Sequence, residues 1–216
     1  MSFTTFVINM DSATDRWEYY KDKGVTRWSA TNYDEIKVSS PDISRMTSYY
    51  NLSMKEHLCK IACFKSHTNL WRYIANNKMN NILILEDDAE LRNPVPDINN
   101  FPQDGLIYLG GYTNDPLMTK GHKKISLDQG VQLINQEEYR VLMTMSYFIP
   151  KWEIAEQLIK NIDNKKRWRA LDCIMKDMDI PLYLSYPASF IERPIKSQIR
   201  KKKQKFSNEF YDLVKG

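Results

Sequence analysis

Short apolar runs alternate with amphipathic stretches along this chain, and each change of period marks an element. Thr4 to Asn9, TTFVIN, predicts a first strand. Asp11 to Tyr20 predicts a helix, with Asp11 or Ser12 as its N-cap. Trp28 to Thr31 predicts a short second strand that runs into a loop, and Ser40 to Asn51 is polar, Tyr-rich and poorly periodic. From Ser53 to Asn76, the residues Leu58, Ile61, Ala62, Leu70, Trp71 and Ile74 recur near helical spacing and predict a long helix. Ile82 to Leu85 follows, an unbroken apolar run of the kind buried on both faces of a parallel sheet.

Pro94, Pro96 and Pro102 interrupt the next stretch. Gly105 to Leu109, GLIYL, predicts another buried strand, ended by Gly110-Gly111. Tyr112 to Lys124 reads as a loop that carries His122. Strand-like segments lie in Gly130–Asn135 and Tyr139–Pro150, helices in Trp152–Ile162 and Arg169–Asp177, and a late strand in Pro181–Tyr186. No internal repeat is present. The alternation predicts an α/β fold, a single domain over residues 1–200 with a mostly parallel central sheet flanked by helices. Residues 201–216 are expected to form a basic C-terminal tail or helix, able to lead into further domains.

Composition narrows the function. Hydrophobic residues at 42% and charged residues at 27% are ordinary for a soluble globular protein. With 7 glycines the chain has neither GxGxxG nor GxxxxGK[ST], which argues against dinucleotide-dependent dehydrogenases and P-loop NTPases. The net charge of +4 is concentrated in Lys196 to Lys205, so the body is not a uniformly basic nucleic-acid binder. That run reads as a solvated segment, with anionic lipid, nucleic acid or an acidic partner as other possibilities. Cys59 and Cys63 share a helix face, but no second Cys/His pair at zinc spacing accompanies them. Reduced, buried thiols fit the cytosol. The N-terminus lacks signal-peptide features and no run reaches membrane-spanning length, so a cytoplasmic location without a transmembrane segment is expected.

The chemistry concentrates where NILILEDDAEL turns from apolar to acidic at Glu86, Asp87 and Asp88. Carboxylates this close repel, and water, a basic partner or a divalent cation must compensate them. Ligands of open α/β sheets bind beyond the carboxyl ends of the strands, and a hard cation there could hold a diphosphate. A solvated acidic turn is the plain alternative. Three other segments converge on this one if the first strand neighbours Ile82–Leu85. Arg16, in NMDSATDR, offers a guanidinium fork to phosphate, or else pairs with Asp11 or Asp15 on the helix surface. His67, after Lys65 and Ser66, could bind a ligand, order the acidic loop by hydrogen bonding, or be structural. Asp172 stands in an apolar helical stretch, as a base or positioning group for an acceptor hydroxyl, or as a helix N-terminal acid favoured by the macrodipole.

Read in order, these pieces resemble glycosyltransferase family 25, which includes bacterial lipooligosaccharide transferases and collagen galactosyltransferases. The resembling residues are Val7-Ile8-Asn9-Met10-Asp11 with Asp15-Arg16, and Ile61-Ala62-Cys63 with Ser66-His67. Ile84-Leu85-Glu86-Asp87-Asp88-Ala89, Tyr108-Leu109-Gly110, Ser146-Tyr147-Phe148-Ile149 and Asp172 follow. The chain departs from the family at Cys59-Lys60, where Gly-Glu is usual, at Lys65, where a small residue is usual, and around Ser197-Gln198-Ile199. It is also similar to capsid-modifying glycosyltransferase domains of large algal viruses such as chloroviruses.

The resemblance implies a GT-A fold, a UDP-sugar donor with a hexose of glucose, galactose or rhamnose type, and Mn²⁺ or Mg²⁺. It implies a glycan or glycoprotein acceptor. Ile8 and Asn9 would meet the nucleotide, Ala30 and Thr31 the base, Arg16 the nucleotide or its phosphates, and Ser66 and His67 the donor site. Asp88, then Glu86, would coordinate the metal, with His122 as a third ligand. Asp87 would meet the ribose or the metal's water shell, and Asp172 would act as base. Two other readings stand beside this one. A sugar nucleotidyltransferase shares the strand-then-acid logic but usually has a Gly-rich basic N-terminal loop. A non-catalytic carbohydrate- or nucleotide-binding module would use some of the 13 Tyr and 5 Trp for stacking.

Overall fold

A computed structural model of the protein describes residues 2–37, 53–114, 128–163 and 170–195. In chain order the elements are β1 (Thr4–Asn9), α1 (Thr14–Glu18), β2 (Thr26–Ser29), a 3-10 turn at Tyr33–Glu35, α2 (Met54–Asn76) and β3 (Ile82–Glu86). Then come β4 (Ala89–Leu91), a 3-10 turn at Ile98–Asn100, β5 (Leu106–Tyr108), β6 (Tyr112–Asn114) and β7 (Gly130–Leu133). The described chain closes with β8 (Arg140–Leu142), β9 (Ser146–Ile149), α3 (Trp152–Asp163), α4 (Leu171–Met175), β10 (Leu182–Tyr186) and β11 (Phe190–Glu192).

The main sheet has seven strands in the order β2-β1-β3-β9-β5-β10-β7. β2, β1, β3, β5 and β10 run one way, and β9 and β7 run against them. The mostly parallel α/β domain is therefore observed, with an antiparallel strand in its middle. Alternation along the strands builds two cores. Phe6, Ile8, Ile82, Ile84, Tyr108 and Tyr147 face one way and pack with Leu70, Trp71 and Ile74 of α2, Leu158 of α3 and Ile174 of α4. Val7, Leu83, Leu85, Ile107 and Phe148 face the other way, against Tyr20, Ile98, Phe101 and Phe190. The apolar run of β3 is thus buried on both faces, and the same parity turns Glu86 towards α2.

Helix α2 begins at a capping box. Ser53 Oγ accepts the Glu56 N–H at 3.3 Å, and Glu56 Oε2 accepts the Ser53 N–H at 2.9 Å. Several boundaries differ from the pattern. Residues 10–13 form a turn, in which the Ala13 N–H donates to Met10 O, so α1 starts later than Asp11. β2 lies two residues before Trp28–Thr31, and α4 is a five-residue helix. The stretch read as a loop from Tyr112 opens with β6, which pairs with β8. A second ribbon, β4 with β11, follows the acidic turn. Gly110 lets β11 come close, since a Cβ there would stand 2.6 Å from Phe190 O and 2.5 Å from Ser146 Oγ. Among the described residues, no helix is long and apolar enough to cross a membrane.

Candidate functional site

Parallel pairing sets Ile8 beside Glu86, so β1 and β3 end together and their next residues meet. Asn9, buried at the end of β1, donates from Nδ2 to Asp87 Oδ2 at 2.8 Å. Arg16 on α1 donates to Asp87 Oδ1 at 2.5 Å, and both side chains are buried. Each oxygen of Asp87 therefore has a buried donor. Burial raises the Asp87 carboxyl, and the Arg16 charge and the two hydrogen bonds oppose that rise. Arg27 of β2 holds Asn9 in turn, donating from Nε to its Oδ1 at 2.9 Å.

Glu86 points the other way, into a hydrogen-bonded chain between β9 and α2. Trp71 Nε1–H donates to Tyr147 Oη at 2.8 Å, and Tyr147 Oη meets His67 Nδ1 at 2.7 Å. His67 Nε2 meets Glu86 Oε1 at 3.2 Å, and Thr144 Oγ donates to the same oxygen at 2.5 Å. One donor order satisfies every group: the tyrosine O–H to Nδ1, and the ring Nε2–H to the carboxylate. Burial works to raise Glu86, but the His67 hydrogen bond, with Thr144 and the Arg16 charge, outweighs it and holds this carboxyl below its ordinary value.

Asp88 is treated differently. Its Oδ1 is buried and has no hydrogen-bond partner among the described residues, and its Oδ2 lies 3.9 Å from Arg16 Nη1. Burial, then the charges of Glu86, Asp87 and Glu192, push Asp88 up to about 8. The turn around it is clamped from the end of β11. The Arg193 N–H donates to Asp88 O at 2.7 Å, its Nη2 to Asp87 O, and its guanidinium lies 4.2 Å over the Tyr19 ring. Tyr20 O–H donates to Ala89 O.

Asp172 sits in the first turn of α4. Its Oδ2 accepts the Met143 N–H at 3.2 Å and its Oδ1 the Cys173 N–H at 2.8 Å. Met143 has φ 76°, an uncommon conformation for a residue with a Cβ, and Thr144 follows directly. Asp172 is thereby tied to Glu86 through a strained turn. Burial, then the carboxylates of Glu86, Asp172 and Asp88, push the Cys63 thiol well up.

A cleft of about 430 Å³ opens over this constellation. Ile8 and Met10 line its sheet side, Ala30 and Thr31 its loop side, and Cys63, Ser66 and His67 its helix side, with Glu86 and Asp87 at the floor. Ser66 ties loop to helix, its Oγ accepting the Thr31 N–H at 2.9 Å and donating to Ala62 O at 2.7 Å. At the rim, Lys55 Nζ sits 4.7 Å from the Tyr33 ring centre.

Of the residues named from sequence, Ile8, Ala30, Thr31, Ser66, His67, Glu86 and Asp87 meet at this cleft. Asn9 and Arg16 stand behind Asp87, and Asp88 and Asp172 lie outside the cleft lining. His122 and the basic run at Lys196–Lys205 lie outside the described residues. Sequence reasoning did not single out Tyr33, Lys55, Thr144 or Arg193. Thr144 shows itself only through the Met143 turn, and Arg193 lies 106 residues from Asp87 with no local pattern to announce it.

The profile of glycosyltransferase family 25, described as an LPS biosynthesis protein family, matches residues 3–175. The chain belongs to glycosyltransferase family 25. The matched span holds the acidic turn, the α2 face of the cleft and Asp172, while β10, β11 and Arg193 follow it. No curated protein matches the chain. Family membership makes the protein a glycosyltransferase, with a sugar donor and an acceptor as substrates.

Proposed function

We propose that the cleft takes a UDP-sugar and that the protein moves a hexose of glucose, galactose or rhamnose type to a hydroxyl of a glycan or glycoprotein. The observation that carries this reading is a cleft at the carboxyl ends of two parallel strands whose floor adjoins a buried carboxylate oxygen on Asp88 that has no partner among the described residues. That oxygen, in a crowd of acids, fits a divalent cation, Mn²⁺ or Mg²⁺, which needs only one or two protein carboxylates. Asp88 and Glu86 would hold it. When bound, such an ion neutralises charge on a departing diphosphate.

The remaining roles follow from the chain's own contacts. Ile8, Ala30 and Thr31 form the nucleoside wall, fixed through Ser66. Asp87 anchors the turn, because Arg16 and Asn9 engage both of its oxygens. Arg16 acts on phosphate only through that anchor. His67 and Thr144 hold Glu86 ionised and oriented. Asp172, with a backbone amide on each oxygen, holds the Met143–Thr144 turn and is the candidate base for the acceptor hydroxyl.

Calorimetric titration with UDP, with and without Mn²⁺, tests the reading. Binding should strengthen at least ~10-fold with the ion, a difference of about 1.4 kcal/mol. Asp88→Asn should abolish that gain while UDP-sugars rank by their hexose. UDP binding indifferent to metal, or no binding by a folded chain, would overturn the donor and metal assignment.

A further inference from the structure

Helix α2 places Cys63 and His67 four residues apart, on one helix face, and both line the cleft. Glu86 reaches the same point from the end of β3. One ligand-type atom of each, a sulfur, an imidazole nitrogen and a carboxylate oxygen, lies within 4.8 Å of the others. We propose that Cys63, His67 and Glu86 form a second cation site on the cleft floor, separate from Asp88, for a borderline-soft ion such as Zn²⁺.

The donor set decides the ion. Mg²⁺ and Mn²⁺ favour oxygen, whereas thiolate with imidazole selects Zn²⁺ and its neighbours. Three protein ligands with a fourth position left to water or substrate is the arrangement of catalytic zinc sites. All three residues line the cleft, from which a fourth ligand would come.

The surroundings are built as such a site requires. Ligating histidines are oriented through their other ring nitrogen, and ligating carboxylates through hydrogen bonds. His67 Nδ1 is 2.7 Å from Tyr147 Oη, which Trp71 Nε1–H fixes from behind at 2.8 Å. Nε2 is therefore the ligand atom. Glu86 Oε1 is held by Thr144 Oγ at 2.5 Å. His67 is fully buried, so its ring cannot swing away. In the metal-free protein, Nε2–H and Glu86 Oε1 meet at 3.2 Å. An ion replaces that hydrogen bond. The ring proton then resides on Nδ1, facing Tyr147 Oη, and the Cys63 thiol releases one proton as the sulfur–metal bond forms.

Sharing Glu86 has a consequence that rests on the donor-site reading: Zn²⁺ should suppress Mn²⁺-dependent UDP binding.

Co²⁺ titration of the reduced full chain, followed by absorption, tests the site directly. A thiolate-to-cobalt charge-transfer band should appear and saturate at one ion per chain, and Zn²⁺ should bleach it. Cys63→Ser should abolish the band, and Cys59→Ser, one helical turn away, should leave it. Tyr147→Phe should keep the band but weaken affinity by about 10- to 100-fold. Absence of the band in the unaltered protein, or its persistence in folded Cys63→Ser, overturns the site. A normal band with UDP binding insensitive to Zn²⁺ upholds the site and removes Glu86 from the donor reading.

Discussion

Asp88 and Asp87 are adjacent in sequence yet meet opposite environments, and the difference lies in their partners. Asp88 has its folded-state value near 8, above the ordinary 3.8, so the unfolded chain releases this proton first as the pH rises. Stability of the metal-free protein should therefore fall as the pH climbs from 3.8 towards 8 and level off above that. Asp88→Asn should flatten the slope in melting temperatures taken across the window. Asp87 is secured by a buried ion pair, and removing one partner strands the other. Arg16→Ala should cost about 3–5 kcal/mol in urea unfolding. From sequence Arg16 had Asp11 or Asp15 as local partners. Its actual partner lies 71 residues on, and only the register of β1 against β3 brings it there. The acids themselves were legible because three carboxylates ending an apolar run demand compensation. Which of them is compensated from within was not.

Elements repeat that division between local pattern and tertiary placement. α2 could be read because its 23 residues sustain a helical period, and β1 and β3 because apolar runs of that length leave few alternatives. The three-residue strands β4, β6 and β11 have no period to read, and they exist because a partner strand lies opposite. Two substitutions separate these cases. Ser53→Ala removes the α2 capping box and should cost about 1 kcal/mol by chemical denaturation, without moving Cys63, Ser66 and His67, about three to four turns on. Gly110→Ala forces a Cβ against Phe190 O and Ser146 Oγ and should cost about 1–3 kcal/mol. Because β11 leads into Arg193, that second change should also weaken Mn²⁺ binding at the acidic turn, which calorimetry would register. Ser53→Ala should not.

The described chain is a strand-paired frame that brings residues from both ends of the matched span to the carboxyl ends of β1 and β3. Its α/β class was visible in the alternation of elements, but its strand order was not, because antiparallel β9 enters the centre from far along the chain. If Mn²⁺ and UDP bind the folded state alone, each at a hundred times its dissociation constant should add about 2.7 kcal/mol to stability. Melting temperature should rise with both together, and a chelator should return it to the metal-free value.

The central seat of β9 also bears on how the protein is made. β3 is complete at Glu86, but the strand that covers its free side ends only at Ile149. Throughout the intervening synthesis, the apolar run of β3 presents an unpaired edge, a template for any neighbouring chain. Nascent chains halted between β5 and β9 should therefore be the sticky ones, and co-sedimentation of ribosome-stalled lengths would show solubility returning once β9 has emerged.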